Sequence, residues 1–238
     1  MLYKMKKNLN QKLINIIEYY SLINANFLLS NNPLKRNTNN MITPSSGTKL
    51  QKLTNLKKNI GSIKNCELRK SATNLVFGDG NVNSKTMLIG EGPGAQEDEA
   101  GIPFVGRAGK LLDKMLEAIQ LDRTKVYISN VVNYRPPLNR RPTDEEIARY
   151  LPFLKSHINI INPKIIILLG STALNAIIGD KEVISKARGK WFQIEINNTK
   201  YWVIASFHPA FLMRQPQQKK LAWVDLKMVR DKIKTLKI

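Results

Sequence analysis

The sequence predicts an α/β fold in which a parallel sheet is covered by helices on both faces. Short, almost wholly apolar runs alternate along the chain with longer segments whose apolar residues recur at helical spacing. Because the apolar runs are nearly continuous, they are typical of strands that are buried on both sides. Strands that alternate with helices in this way indicate a parallel sheet.

Four strands and three helices are predicted in the part of the chain after residue 66. The strands are TMLIG (86–90), VYISN (126–130), KIIILLG (164–170) and WVIASF (202–207). The helices between them are AGKLLDKMLEAIQ (108–120), DEEIARYLPFLKSHINII (144–161) and STALNAIIG (171–179). The second helix opens with Thr143 and Glu146, which have the spacing of a capping box.

The beginning of the chain differs in composition from the rest. Residues 1–65 contain eleven Lys and Arg residues and one acidic residue, Glu18. Apolar residues at helical spacing predict an amphipathic helix over residues 10–29, and a segment rich in Asn, Pro and Ser follows it as a linker. We therefore divide the chain into a basic N-terminal extension (1–60) and a folded domain (61–238). The extension is either poorly ordered or an arm that binds DNA or a partner.

The charge and the cysteine content limit the possible partners and location. Lys and Arg number 38 against 18 Asp and Glu, which gives a net charge of +20. This charge favours a polyanionic partner, nucleic acid before an anionic membrane. Lys, Asn and Ile are all abundant, as in proteins from AT-rich genomes, so part of the charge reflects codon bias. No apolar run is long enough to span a membrane. One cysteine excludes an intramolecular disulfide and indicates a reducing, cytoplasmic location, and two histidines argue against a structural zinc site.

Three polar side chains follow predicted strands at the point where each strand ends. They are Glu91, Asn130 and His208, and Phe104 lies in the loop after the first strand. Because ligands bind at the carboxyl ends of strands in such sheets, we expect these four residues to lie together. A carboxylate, an amide, an imidazole and an aromatic ring suit a flat, neutral ligand that forms hydrogen bonds. Taken singly, each residue also fits a turn, loop or core position.

The glycine-rich loop LIGEGPGAQEDEAGIPFVGRAG (88–109) does not fit a phosphate-binding function. Glu91, Glu97, Asp98 and Glu99 would repel a phosphate, and no Lys-Ser or Lys-Thr pair follows the glycines. The loop therefore argues against an enzyme that binds a nucleotide or phosphate.

Three longer motifs resemble the family-four uracil-DNA glycosylases. They are GEGPGAQEDEAGIPFVGRAGKLLDKML, VYISNVVNYRPPLNRRP and FHPAFLMRQP, and the resemblance runs from Cys66 to Asp225 in order and spacing. It implies a three-layer αβα sandwich with a central four-stranded parallel sheet. It also implies a monomeric, monofunctional hydrolase that flips uracil out of DNA and hydrolyses its N-glycosidic bond, which starts base excision repair. The alternative is a non-catalytic DNA-binding protein on the same fold.

The resemblance implies roles for the residues at the strand ends. Phe104 would stack on the flipped uracil, and the Asn130 amide would accept a hydrogen bond from uracil N3–H and donate one to O4. His208 would donate to uracil O2 as negative charge develops on the departing base. The backbone from Glu91 through Gly92 to Pro93 would border the pocket.

The carboxylate that stabilises the sugar and orients water is assigned first to Glu91. Glu97 is the alternative, and it could instead crowd the position of a thymine methyl group. For contacts with DNA phosphates, the resemblance points to Arg135, Arg140, Arg141 and Arg214. Leu212, together with Met213, is a candidate wedge that replaces the flipped base in the helix, although both could equally be buried.

The sequence departs from the family at the cysteines that hold a four-iron, four-sulfur cluster. The four corresponding positions carry Ile63, Cys66, Tyr134 and Tyr150. Since thiolates are the normal ligands of such clusters, we predict that the cluster is absent and that no other cofactor replaces it. We expect these four side chains to form one packed cluster in its place.

Overall fold

The computed structural model describes residues 47–179 and 182–238. A six-stranded sheet lies at the centre, in the spatial order β1-β3-β2-β4-β6-β5. The strands are β1 (Asp79–Gly80), β2 (Thr86–Gly90), β3 (Tyr127–Asn130), β4 (Ile165–Leu169), β5 (Trp191–Ile196) and β6 (Thr199–Ser206). The α/β fold predicted from the sequence is therefore confirmed. The four predicted strands are β2, β3, β4 and β6.

The sheet is larger than the four-stranded sheet that the resemblance implied. Strands β3, β2, β4 and β6 pair in parallel, and β1 and β5 add an antiparallel strand at each edge. Both edge strands escaped prediction for a physical reason. β1 has only two residues, and β5 (WFQIEI) is half-exposed along most of its length, so it lacks the continuous apolar character of the buried strands.

Helices connect the strands and cover the sheet. They are α1 (Lys49–Gly61), α2 (Glu67–Ser71), α3 (Ala95–Ala100), α4 (Arg107–Glu117), α5 (Asp144–Ile161), α6 (Ser171–Ile177), α7 (Ile184–Ala187), α8 (Pro209–Arg214) and α9 (Lys219–Leu236). The three predicted helices are α4, α5 and α6. The predicted capping box is present at the start of α5, where Thr143 and Glu146 bond each other's backbone N–H groups.

Both faces of the sheet are buried under helices. Successive residues of β2 point to opposite faces, and Met87 and Ile89 belong to one apolar cluster while Leu88 belongs to another. The first cluster contains buried residues of α1, α5 and α6, and the second contains buried residues of α4 and α9. This two-sided packing explains why the central strands are apolar throughout.

Residues 49–60, which fall within the predicted N-terminal extension, lie within α1 and contribute to the core. Leu53, Leu56 and Ile60 are buried, and α1 packs against α5. The Lys49 ammonium donates hydrogen bonds to the carbonyl oxygens of Val82 and Ile161, at 3.1 and 2.9 Å. The amphipathic helix predicted over residues 10–29 lies outside the described residues.

The four positions at which the resemblance implied cluster ligands are part of the apolar core or pack against it. Cys66, Tyr134 and Tyr150 are buried in one cluster, and Ile63 packs against it, as predicted. The Cys66 thiol and the Tyr150 hydroxyl are hydrogen-bonded, with 3.2 Å between Sγ and the phenol oxygen. Burial raises the pKa of Tyr150 and of Tyr134. One thiol, two neutral phenols and an isoleucine do not fit a four-iron cluster, which requires four thiolate ligands.

Candidate active site

A cleft of about 540 Å³ opens at the carboxyl edge of the central strands. Gly90 of β2 is paired in register with Asn130 of β3, so the two strands end side by side. Most of the residues predicted from the sequence line this cleft: Glu91, Gly92, Pro93, Glu97, Phe104, Asn130, Arg140, His208 and Arg214. Residues from separate parts of the chain therefore meet where the strand ends predicted that they would.

Asn130, the last residue of β3, carries an unpartnered acceptor in the wall of the cleft. Its side chain is only 2% exposed, and its Oδ1 has no hydrogen-bond partner among the described residues. A buried acceptor without a partner is unfavourable, because it has lost its bonds to water and gained none in return. An N–H donor on a bound ligand would satisfy it.

Phe104 is held beside Asn130 because the neighbouring residue in the sheet has no side chain. A Cβ atom on Gly90 would lie 2.4 Å from Oδ1 of Asn130 and 2.5 Å from Cζ of Phe104, so only glycine permits this approach. Phe104 has a φ of 55°, a conformation that phenylalanine rarely adopts. Its ring lies 5.5 Å from the His208 ring, at an interplanar angle of 30°.

Two residues that sequence reasoning missed hold the backbone of Phe104 in this conformation. Arg123 donates to the carbonyl oxygens of Pro103 and Phe104, while ion pairs with Asp79 and Asp113, at 2.7 and 2.9 Å, fix its guanidinium. Gly109 of α4 packs directly on the Phe104 carbonyl group, since a Cβ there would lie 1.7 Å from that oxygen. No local pattern marks Arg123, because its partners lie far away in the sequence.

His208 presents a neutral imidazole to the cleft. It is the N-cap of α8, and its Nδ1 accepts a hydrogen bond from the backbone N–H of Ala210 at 3.1 Å. The proton of the neutral ring is therefore on Nε2, which is left as a donor. Burial, and then the nearby charge of Arg214, lower the pKa of His208 to about 4. The ring consequently remains uncharged through the physiological pH range.

This shift predicts the pH dependence of any reaction that uses His208 as a neutral donor. An ordinary histidine, with a pKa of about 6.5, would gain charge between pH 8 and pH 5.5. The lowered pKa keeps the His208 ring neutral over that interval, so we expect no rise in the single-turnover rate as the pH falls. A rate that rises with a midpoint near pH 6.5 would show instead that the imidazolium is the active form.

The two candidate carboxylates have different surroundings. Glu91 directly follows β2 and accepts a hydrogen bond from the hydroxyl group of Thr172 in α6, a partner that sequence reasoning missed. Glu97 accepts from the backbone N–H of Gly94 at 3.1 Å and from that of Gly106 at 2.7 Å. Since both Glu97 oxygens already bind backbone amides, Glu97 is suited to holding the loop together, and Glu91 is better placed for chemistry.

Three of the predicted DNA-contacting arginines lie in the loop after β3, and the fourth, Arg214, ends helix α8. The Arg140 guanidinium donates two hydrogen bonds to the Glu146 carboxylate, at 2.6 and 2.8 Å. Arg135 donates from Nε to Oδ1 of Asn139 at 2.8 Å. Arg140, Arg141 and Arg214 are exposed, so they remain accessible to an anionic partner.

Of the two alternatives given for Leu212, a wedge or a buried side chain, the structure favours the buried one. Leu212 is 1% exposed and packs in an apolar cluster with Phe207 and Ala222. Helix α8 turns Leu212 inward and leaves its neighbour Met213 partly exposed. A side chain that is already part of the core is not available for insertion into DNA.

The family model of the uracil DNA glycosylase superfamily matches residues 77–227, which include the cleft residues from Glu91 to Arg214. The chain belongs to the uracil DNA glycosylase superfamily.

Curated members of the superfamily are similar to this chain over most of their own length. A type-4 uracil-DNA glycosylase of Thermotoga maritima is 47% identical over 150 residues, which are 63% of this chain and 77% of that protein. One of Archaeoglobus fulgidus is 40% identical over 186 residues, 76% of this chain and 94% of that protein. One of Pyrobaculum aerophilum is 42% identical over 171 residues, 70% of this chain and 86% of that protein. In the part of the chain that the structure describes, no helix is both long and apolar enough to cross a membrane.

Proposed function

We propose that this chain is a uracil-DNA glycosylase that hydrolyses the bond between uracil and deoxyribose and so starts base excision repair. The observation that carries the proposal is the buried, unpartnered Oδ1 of Asn130 in the wall of the cleft. The similarity to type-4 uracil-DNA glycosylases supports it. A base inside a duplex cannot reach such a cleft, so the target nucleotide must be extruded from the helix.

The residues around Asn130 account for recognition of uracil. Oδ1 accepts a hydrogen bond from N3–H, and the amide NH₂ group donates to O4. Cytosine presents the opposite arrangement, an acceptor at N3 and a donor at C4, and would leave buried groups unpaired. Phe104, which the Arg123 contacts hold in place, stacks on the base.

His208 and Glu91 account for the chemistry. As the C1′–N1 bond breaks, its electron pair moves onto the uracil ring, and Nε2–H of His208 stabilises the charge that collects on O2. The sugar becomes positively charged, and the Glu91 carboxylate stabilises that charge and orients a water molecule. The water oxygen bonds to C1′ while one of its protons passes to the Glu91 carboxylate. The described residues that line the cleft include no lysine to act as an amine nucleophile, which favours a monofunctional glycosylase that uses water.

An excision assay tests the proposed function. Purified protein is incubated with uracil-containing oligonucleotides, single-stranded and with U·G pairs, and abasic sites are detected by alkaline cleavage. Glu91→Gln should lower the single-turnover rate more than the affinity for DNA, because the charge acts mainly in the transition state. Glu99→Gln removes an exposed carboxylate of the neighbouring helix α3 and is the matched control. DNA binding without abasic sites would favour the alternative, a non-catalytic DNA-binding protein.

We also infer that the protein acts as a monomer in the cytoplasm. Every residue assigned to recognition and chemistry comes from a single chain, so the site needs no second copy. The only cysteine of the sequence, Cys66, is a buried thiol that is not part of a disulfide, as suits a reducing compartment. Light scattering coupled to gel filtration would test the monomer, and a mass twice that of the chain would contradict it.

The cluster positions lead to a further part of the proposal, a chain without an iron–sulfur cluster. We expect protein purified without oxygen to contain no stoichiometric iron. Tyr150→Ala should lower the free energy of unfolding by about 3–5 kcal/mol, because it opens a cavity in the core. Tyr150→Phe keeps the ring and loses only the bond to Cys66, so it should cost about 1 kcal/mol. Bound iron, or equal effects of the two substitutions in urea denaturation, would contradict this account.

A further inference from the structure

The hydroxyl group of Thr172 bonds a residue of the cleft rather than a group of its own helix. Thr172 is the second residue of α6, and it is only 1% exposed. Its hydroxyl group donates to Oε2 of Glu91, which lies 81 residues earlier in the chain. A buried hydroxyl group requires a partner, because it has lost its bonds to water. The partner here is the carboxylate to which the proposed function assigns the chemistry.

Glu91 is held from both sides of the strand that it follows. In the sheet, β2 lies between β3 and β4. The backbone carbonyl of Glu91 accepts a hydrogen bond at 3.2 Å from the N–H of Val132, which follows β3. This contact cannot orient the carboxylate, because several rotatable bonds separate the two groups. Thr172, in the helix after β4, sets the direction of the carboxylate, and no described residue bonds its other oxygen, Oε1.

The turn between β4 and α6 is itself packed against His208. Gly170 has a φ of 91°, in the left-handed region that favours glycine, and its N–H donates to the carbonyl oxygen of Ser206 at 2.9 Å. A Cβ atom on Gly170 would lie 3.0 Å from Cβ of His208, which is closer than such atoms normally approach. Thr172 follows two residues later. Its hydroxyl group is therefore held at a fixed place relative to the imidazole.

We propose that Thr172 is a positioning residue that fixes the direction of the Glu91 carboxylate, and with it the place of the water that attacks C1′. The proposal rests on the proposed function, since the direction of Glu91 matters only if Glu91 acts on the sugar and the water. A carboxylate that can rotate away carries the same charge but is less often in the geometry that the reaction requires. Threonine suits this role because branching at Cβ restricts the rotation of its hydroxyl group.

The test compares three variants on uracil-containing single-stranded DNA. Thr172→Val replaces the hydroxyl group with a methyl group of similar size. It should lower the single-turnover rate by about tenfold to 10²-fold, as expected for a small misplacement of a catalytic group. The affinity for the DNA should stay unchanged, because the carboxylate acts mainly in the transition state. Thr172→Ser keeps the hydroxyl group and should recover most of the rate. Thr86→Val makes the same change at the amino end of β2, where Thr86 is 4% exposed, and should alter neither rate nor affinity.

A second background separates the effect on Glu91 from an effect on the fold. Once Glu91→Gln has removed the carboxylate charge, the direction of that side chain matters little, so adding Thr172→Val should lower the rate no further. A role confined to the stability of α6 would lower the rate by the same factor in both backgrounds. Equal factors, a full rate in Thr172→Val, or a Thr172→Ser variant that is as slow as Thr172→Val overturns the proposal. An unsubstituted chain that excises no uracil overturns the proposed function and this proposal with it.

Discussion

Replacing His208 with alanine is expected to lower the single-turnover rate of uracil excision by about 10²–10³, the usual effect of losing one donor to a developing oxyanion. The loss follows from the fixed donor at Nε2, which the Ala210 contact at Nδ1 orients toward the cleft. The affinity for uracil-containing DNA should change much less, because the bond to O2 strengthens mainly as charge develops. Single-turnover rates at saturating protein, with affinities measured separately, test this expectation.

A second substitution distinguishes the chemistry of His208 from its role as a helix cap. Serine is a good N-cap and can still accept the backbone N–H of Ala210, but its hydroxyl group is too short to replace the Nε2 donor. His208→Ser should therefore be as slow as His208→Ala while remaining as stable as the unsubstituted protein. If His208→Ser retained most of the activity, the contribution of His208 would be capping of α8, and the assigned donor would be wrong.

Changing Asn130 to aspartate is expected to reduce uracil excision by about 10³-fold. The substitution keeps the shape of the side chain but removes the NH₂ group that donates to O4 and places a charge in a position that is only 2% exposed. Both the recognition of uracil and the stability of the fold should decrease. The unfolding transition must therefore be measured together with the single-turnover rate of excision. Asn83→Asp adds the same charge at an exposed site and is the matched control.

The size of the Asn130 effect also tests the interpretation of its unpartnered oxygen. If Oδ1 serves to bind the N3–H group, Asn130→Ala should weaken recognition of uracil while relieving the free protein of an unsatisfied acceptor. An Asn130→Ala variant that is as stable as the parent but inactive would support the assignment. Unchanged activity in either variant would remove Asn130 from the site.

The elements around the site could be predicted because their sequence signals are local. The short runs TMLIG and VYISN end at Gly90 and Asn130, and the pairing of parallel strands then brings Glu91 and Asn130 to one edge. The contacts that shape the pocket are not local. Arg123 acts on Phe104 from 19 residues away, and Thr172 bonds Glu91 from 81 residues away. Only the folded chain reveals such partners.

The orientation of short elements was equally inaccessible. Helix α8 has six residues, too few for its apolar spacing to indicate which side faces the core, and the structure places Leu212 inward. Leu138, in the 3₁₀ turn Pro137–Asn139, is a large apolar side chain whose 95% exposure was not predicted from the sequence. It follows two prolines and precedes an asparagine, so no periodic pattern of apolar residues indicates which way its side chain faces. The geometry of the turn determines its exposure.

Gly90 has a consequence for how this site can vary. A Cβ atom on Gly90 would clash with both Oδ1 of Asn130 and the ring of Phe104. The distance between these two recognition groups therefore depends on glycine having no side chain. Even alanine, the mildest replacement, would push an amide and an aromatic ring apart together. Single substitutions of the arginines and loop residues can therefore change the edges of the cleft. The width of the slot for the base can change only if several residues change at once, because a side chain at Gly90 would displace Asn130 and Phe104 together.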